Sequence, residues 1–228
     1  MSSRPTAHPR LFAAALMVWA ATPSPLLAQA VVEADRDLAS YTQFDDATAI
    51  ATTVRRPTGQ EAKVPTWVVD TLLSDPGQTK DEFIRRVASY LDRLTAHTGA
   101  EACGELSTSP KGDQWGVRIV TQNSQLHCLI VKPNAPFDFI ATGEIIHSHP
   151  REGLLTLSAH TARLMSVLDP KSKRYSAGQS RHVSPEKFSD ADYSAGRGYL
   201  VANGRLLYQA GVGTERDLGS IRPQYAGP

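Results

Sequence analysis

The sequence runs to 228 residues, 41% hydrophobic and 21% charged, which suits one folded domain with a short extension and leaves no comfortable room for two large ones. Its 24 lysines and arginines nearly balance 23 aspartates and glutamates, giving a formal charge of +1. Composition therefore lends no support to a polyanion-binding protein that works by neutralising phosphates, and no nucleic-acid partner is expected.

The first thirty residues read as a secretory signal peptide. Arg4 and Arg10 form a cationic start, Leu11 to Ala21 is an apolar run, and Ala28-Gln29-Ala30 is a small-residue cleavage site, with cleavage expected after Ala30. The apolar run is too short to span a bilayer and is followed by Pro23 and Pro25; no later segment supplies a span for the mature chain. Loss of residues 1–30 removes two cations and no anion, taking the formal charge from +1 to −1. The expected location is periplasmic or secreted, where thiols oxidise. Cys103 and Cys128 are then either one disulfide or two separately buried thiols; no paired C-x-x-C suggests a metal site built from them.

Residues 31–78 mix acidic, Thr-rich and Pro-containing stretches and read as a leader that wraps on the domain or is partly mobile. From Thr79 the pattern sharpens. Thr79-Lys80-Asp81-Glu82 fits a capping box, and Phe83, Ile84, Val87, Leu91 and Leu94 recur at helical spacing until Gly99. Gly116–Val120 and Leu126–Val131, around Gln122-Asn123-Ser124, predict a hairpin, and Phe139–His147 a further strand. Leu154–Leu168 predicts a helix, 169–186 a polar and basic stretch, and Ser189 the start of another helix. Asn203-Gly204 between two apolar runs predicts a second hairpin across Gly198–Gln209. These elements imply an α/β domain with a partly antiparallel sheet.

Three motifs carry chemistry. In Ile145-Ile146-His147-Ser148-His149-Pro150, histidines at i and i+2 of an extended segment share one face, so both imidazoles can reach one metal ion. Ser189-Asp190-Ala191-Asp192 puts a carboxylate in the first turn of a helix, either as a further ligand or simply as a cap favoured by the helix dipole. Glu101-Ala102-Cys103-Gly104-Glu105 opens a strand after the amphipathic helix; alone, such a Glu reads as solvated surface. His97, His127 and His182 have no evident partner and read as surface or hydrogen-bonded packing.

In this order the motifs resemble the JAB/MPN/JAMM metalloprotein family, whose pattern is E-x-C-G on a first strand, H-x-H-P after a strand, and S-x-x-D opening a helix. The resemblance covers roughly residues 80–210. It implies a single-domain JAB/MPN-like (cytidine-deaminase-like) α/β fold, a mixed sheet with flanking helices, with the family domain over 79–212 and a tail over 213–228. It implies Zn²⁺ held by His147, His149 and Asp192, Glu101 as general acid–base, Ser189 as oxyanion donor, and hydrolysis of a peptide or isopeptide bond in a peptide or protein substrate, cell-wall peptide among them. Glu105 is the weaker choice of base. A non-catalytic binding or scaffold module of the same fold, or an effector- or immunity-type protein, is the competing expectation.

One departure stands out. The family Ser usually follows H-x-H-P after seven residues, whereas here residues 151–188 intervene. Either about 151–187 is an insertion and Ser189 and Asp192 are the pair, or Ser158 is aligned and His160 replaces the carboxylate; the helix and hairpin that follow Ser189 favour the first. Lys171, Lys173, Arg174 and Arg181 make the insertion basic, as a lid over carboxylate-rich substrate or as a solvated loop.

Overall fold

A computed structural model describes residues 44–221 apart from 45, 57, 133, 152 and 171–173; the signal-peptide reading and the first part of the leader lie outside the described residues. The chain forms β1 (Ile50–Arg55), β2 (Glu61–Leu73), α1 (Lys80–Thr98), β3 (Cys103–Thr108), β4 (Trp115–Thr121), β5 (Ile140–Ser148), β6 (Leu154–Thr156), α2 (Ala159–Leu168), β7 (Ser180–His182), α3 (Asp190–Ala195), β8 (Gly198–Ala202), β9 (Arg205–Gln209) and β10 (Arg216–Ser220). Eight strands make one sheet in the order β1-β2-β4-β3-β5-β8-β9-β10, while β6 and β7 pair separately. Only β5 and β8 run parallel among the sheet's neighbours, so the domain is a mixed α/β fold. No described helix is long and apolar enough to cross a membrane.

Helix α1 forms as its sequence dictates. Thr79 and Glu82 complete a reciprocal capping box, and Gly99, at φ 68°, returns its N–H to the Thr95 carbonyl. Phe83, Ile84, Val87, Leu91 and Leu94 are wholly or almost wholly buried and pack with Ala102, Leu106, Ile146 and Val201 into the main core. Strand alternation then divides the sheet's two faces. Ile146 and Ser148 face α1, the Ser148 hydroxyl meeting Thr95 Oγ1 at 2.5 Å, which sends His147 and His149 to the opposite face.

Two glycines mark close approaches between strands. A Cβ on Gly104 would lie 2.7 Å from the Arg118 carbonyl oxygen, and one on Gly198 would lie 2.3 Å from that of Ile145. The second contact is with the backbone of the parallel partner, which has nowhere to go. Gly198→Ala is expected to cost about 1–3 kcal/mol by overpacking, seen as a lower midpoint in urea with an unchanged m-value.

The Asn203-Gly204 hairpin forms as expected, with φ of 51° and 71° at the two turn residues and Ala202 paired to Arg205. Four expectations require correction. Much of the 31–78 leader is sheet: β1 and β2 form a hairpin, and β2 continues onto β4. Pro65 is tolerated because β2 pairs with β1 over residues 61–66 and with β4 over 67–73, so each half keeps an open edge for a residue without an N–H. Residues 126–131 are not a strand; β4 pairs instead with β2 and β3. Leu154–Leu168 splits into β6 and α2, with Ser158 as the helix cap. The 213–228 tail begins with β10, hydrogen-bonded to β9 and fastened by an Arg205–Asp217 ion pair.

Candidate metal centre and its cavities

The antiparallel register of β3 and β5 builds the centre. Cys103 lies opposite His147, so Glu101, two residues earlier, falls beside His149, two residues later. The Ser148 N–H to Ala102 carbonyl bond at 2.9 Å continues this pairing past the strand ends. The Glu101 backbone is held on both sides, its N–H by the Ser124 carbonyl at 2.7 Å and its carbonyl by Thr121 Oγ1 at 2.6 Å. Glu101, Cys103, His147 and His149 therefore share the face away from α1.

Asp192 arrives from α3. Its Oδ1 is 3.2 Å from His147 Nε2 and its Oδ2 4.0 Å from His149 Nε2, while the two Nε2 atoms are 3.2 Å apart. The donor atoms of these three residues all lie within 4.8 Å of one another, a group that could hold a metal ion. The sequence left open whether the Ser189–Asp192 pattern is a cap or a ligand; the structure shows the cap, and the same Asp192 carboxylate stands in the group that could hold a metal ion. Asp192 N–H donates to Ser189 Oγ at 3.3 Å, and Ser189 N–H donates to Asp192 Oδ2 at 2.6 Å. The Ser189 hydroxyl also donates to Asp192 Oδ2, at 2.8 Å. The hydroxyl expected to serve an oxyanion is thus occupied in aiming Asp192.

Hydrogen bonds and burial set the state of two of the three donors and of Glu101. His149 Nδ1 faces the Pro185 carbonyl oxygen at 2.9 Å; as the N–H donor there, it leaves the Nε2 lone pair turned inward. Burial, then the neighbouring His147, lowers the His149 pKa to about 4, so the ring is neutral at pH 7. Burial alone would raise the Asp192 carboxyl, but the His147 hydrogen bond and charge and the Ser189 donors outweigh it and hold it below its ordinary value. Glu101 behaves oppositely: burial first, then the charge of Asp192, raises its pKa well above the usual carboxylate range against the pull of the Cys128 amide.

Two cavities meet at Glu101, Leu126, His149 and Ser189. The first, about 260 Å³, holds the three donor residues, Glu101, Cys103 and the 126–130 segment. The second, about 280 Å³, is walled by Leu126, Pro150, Leu155, Val183, Pro185 and Phe188, with Lys187 among its polar residues. Residues 151–187 thus supply Leu155, Val183 and Pro185 to an apolar wall beside the candidate centre. Of their basic residues, Arg181 lies over the Tyr175 ring at 4.7 Å, neither Arg181 nor Arg174 lines either cavity, and Lys171 and Lys173 lie outside the described residues.

Cys103 and Cys128 form a disulfide, which pins the 126–131 segment above the site face. The Gln122 side chain holds the same segment, accepting from Leu129 N–H at 2.7 Å and donating to its carbonyl at 3.0 Å. Replacing both cysteines by Ser removes a cross-link of sequence separation 25, an expected loss of about 3–4 kcal/mol by chain entropy, measurable as a fall in calorimetric Tm. The disulfide also brings His127 into the first cavity, a placement that sequence reading missed. Its signal was adjacency to Cys128, which becomes informative only once that cysteine is known to pair with Cys103.

The residues of the competing alignment lie away from the candidate centre. Ser158 caps α2 by accepting from Thr161 N–H at 3.0 Å, and His160 Nε2 meets the Gln122 carbonyl at 2.8 Å with its ring 6.0 Å from Trp67. Neither lines the cavities around the centre. Glu105 lies in neither cavity; it is buried against Lys132 Nζ at 3.6 Å and Asn134 N–H at 3.2 Å. His97 and His182 are exposed.

No protein-family model, curated protein or solved structure matches this chain.

Proposed function

We propose that the chain is an exported zinc-dependent hydrolase of the JAB/MPN/JAMM type, cleaving peptide or isopeptide bonds. The observation that carries the reading is the convergence of His147, His149 and Asp192 beside a buried Glu101. In sequence order and strand placement these are the residues that the family resemblance picks out. The donor set supports zinc: four ligands at 2.0–2.1 Å in a tetrahedron stand about 3.3 Å apart, and the observed separations begin at 3.2 Å. Two imidazoles and one carboxylate leave a fourth position open, as in catalytic rather than structural sites. Two Nε2 atoms 3.2 Å apart with a carboxylate oxygen 3.2 Å from one of them can turn their lone pairs on a single cation. The disulfide supports an oxidising location.

When bound, zinc supplies Lewis acidity and a water acidified toward neutrality. The residues around it do the rest. Pro185 fixes the His149 tautomer, and Ser189 fixes the Asp192 carboxylate. Glu101 takes the proton of the attacking water on a carboxylate oxygen and passes it to the leaving nitrogen. The apolar second cavity keeps bulk water from one side of this exchange and seats part of the substrate.

The test pairs elemental analysis with digestion of a peptide library. The expected result is one zinc per chain and discrete cleavage that chelation stops and zinc restores. A protein that fails to take up zinc, or whose cleavage is indifferent to chelation, would refute the hydrolase reading, and metal without cleavage would favour the binding module.

A further inference from the structure

We propose that His127 is a catalytic residue of this centre that does not bind the metal: its imidazole N–H donates to the substrate carbonyl oxygen as that oxygen gains negative charge. The inference rests on the hydrolase reading and assigns to His127 the task expected of Ser189.

Three observations carry it. First, Ser189 is already engaged: its hydroxyl donates to Asp192 Oδ2 and its oxygen accepts the Asp192 N–H. Second, the His127 side chain makes no hydrogen bond or ion pair among the described residues, yet it lines the cavity that holds Glu101, His147, His149 and Asp192. It stands outside the cluster of donor atoms within 4.8 Å of one another, so it borders the centre without belonging to the ligand set. Third, the backbone that carries the imidazole is held from both sides. Cys103 shares a sheet face with Glu101 and His147, and the disulfide fixes Cys128, the neighbour of His127, to that face. The two Gln122 bonds to Leu129 clamp the other side.

The chemistry fits these positions. A neutral imidazole carries one N–H donor and one acceptor, and burial favours the neutral ring here by lowering the His127 pKa. An imidazole that lines the cavity and has no protein hydrogen-bond partner among the described residues breaks no protein hydrogen bond when it donates to a developing oxyanion. Such a donor contributes about 10²–10³-fold in kcat.

The test uses the full zinc-loaded protein with two probes: acetohydroxamate, a small oxyanion that ligates zinc, and a peptide cleaved by the wild type. His127→Ala is expected to keep one zinc per chain and the wild-type melting curve. It should bind acetohydroxamate about tenfold more weakly and lose about 10²–10³-fold in kcat with little change in KM. His127→Gln, which retains an N–H, should recover part of both losses. Affinity and kcat within twofold of wild type would overturn the inference, as would zinc loss in His127→Ala, which would make His127 a ligand. If those results came with a wild type that holds zinc and cleaves, the hydrolase reading would stand alone; a wild type that does neither overturns both.

Discussion

Glu101→Gln is expected to bind zinc as the wild type does while cleaving about 10²–10⁴-fold more slowly. The substitution keeps the size of the side chain and its hydrogen-bonding ability but removes the group that accepts and returns a proton. Because Glu101 is absent from the converging donor set, metal content measured beside turnover separates this role from that of a ligand. Loss of zinc with loss of rate would show that Glu101 ligates or holds the centre together.

The same variant has a signature in the metal-free protein. Burial, then the charge of Asp192, raises the pKa of Glu101 in the folded state, so the folded chain holds a proton that the unfolded chain releases near pH 4.3. The stabilisation from that proton is complete below the unfolded value and is lost as pH rises through the raised folded one. Glutamine has no such dependence. Thermal melts with chelator should therefore show the variant gaining on the wild type as pH rises above about 4.3, levelling once the folded pKa is passed. A difference in Tm that does not change with pH would refute this account of Glu101.

The features legible in the sequence were those written in local chemistry. The capping box and Gly99 bounded α1, Asn203-Gly204 placed the hairpin, and apolar residues before His147 set the histidine pair at a strand end. The features that were not legible depend on partners distant in the chain. In β2, Ala62, Val64 and Thr66 are buried between exposed Glu61 and Lys63 and half-buried Pro65, an alternation that the proline and the small or polar buried residues mask until Trp67 and Val69. Leu126–Val131 is apolar enough to resemble a strand, but Leu126, Leu129 and Ile130 line a cavity and the disulfide and Gln122 hold the backbone. Residues 151–187 misled in a similar way: their basic residues dominate the sequence, whereas what they give the wall beside the candidate centre is Leu155, Val183 and Pro185, scattered over 31 residues.

Asp192→Asn should have the largest effect on the metal. Asparagine can still accept the Ser189 N–H and preserve the start of α3, so a loss cannot be blamed on a missing cap. It removes the negative charge that balances a divalent ion and the carboxylate that reaches both His147 and His149. Ser189→Ala leaves the carboxylate but withdraws its orienting hydroxyl, a change of the kind that costs about 10–100-fold in metal affinity. The order expected in competition with a chromophoric chelator is therefore wild type tightest, Ser189→Ala weaker by about 10–100-fold, and Asp192→Asn weaker again. His160→Ala should match the wild type, because its imidazole is engaged with the Gln122 carbonyl away from the centre. Retained affinity in Asp192→Asn together with loss in His160→Ala would restore the alternative alignment, in which Ser158 and His160 replace the pair on α3.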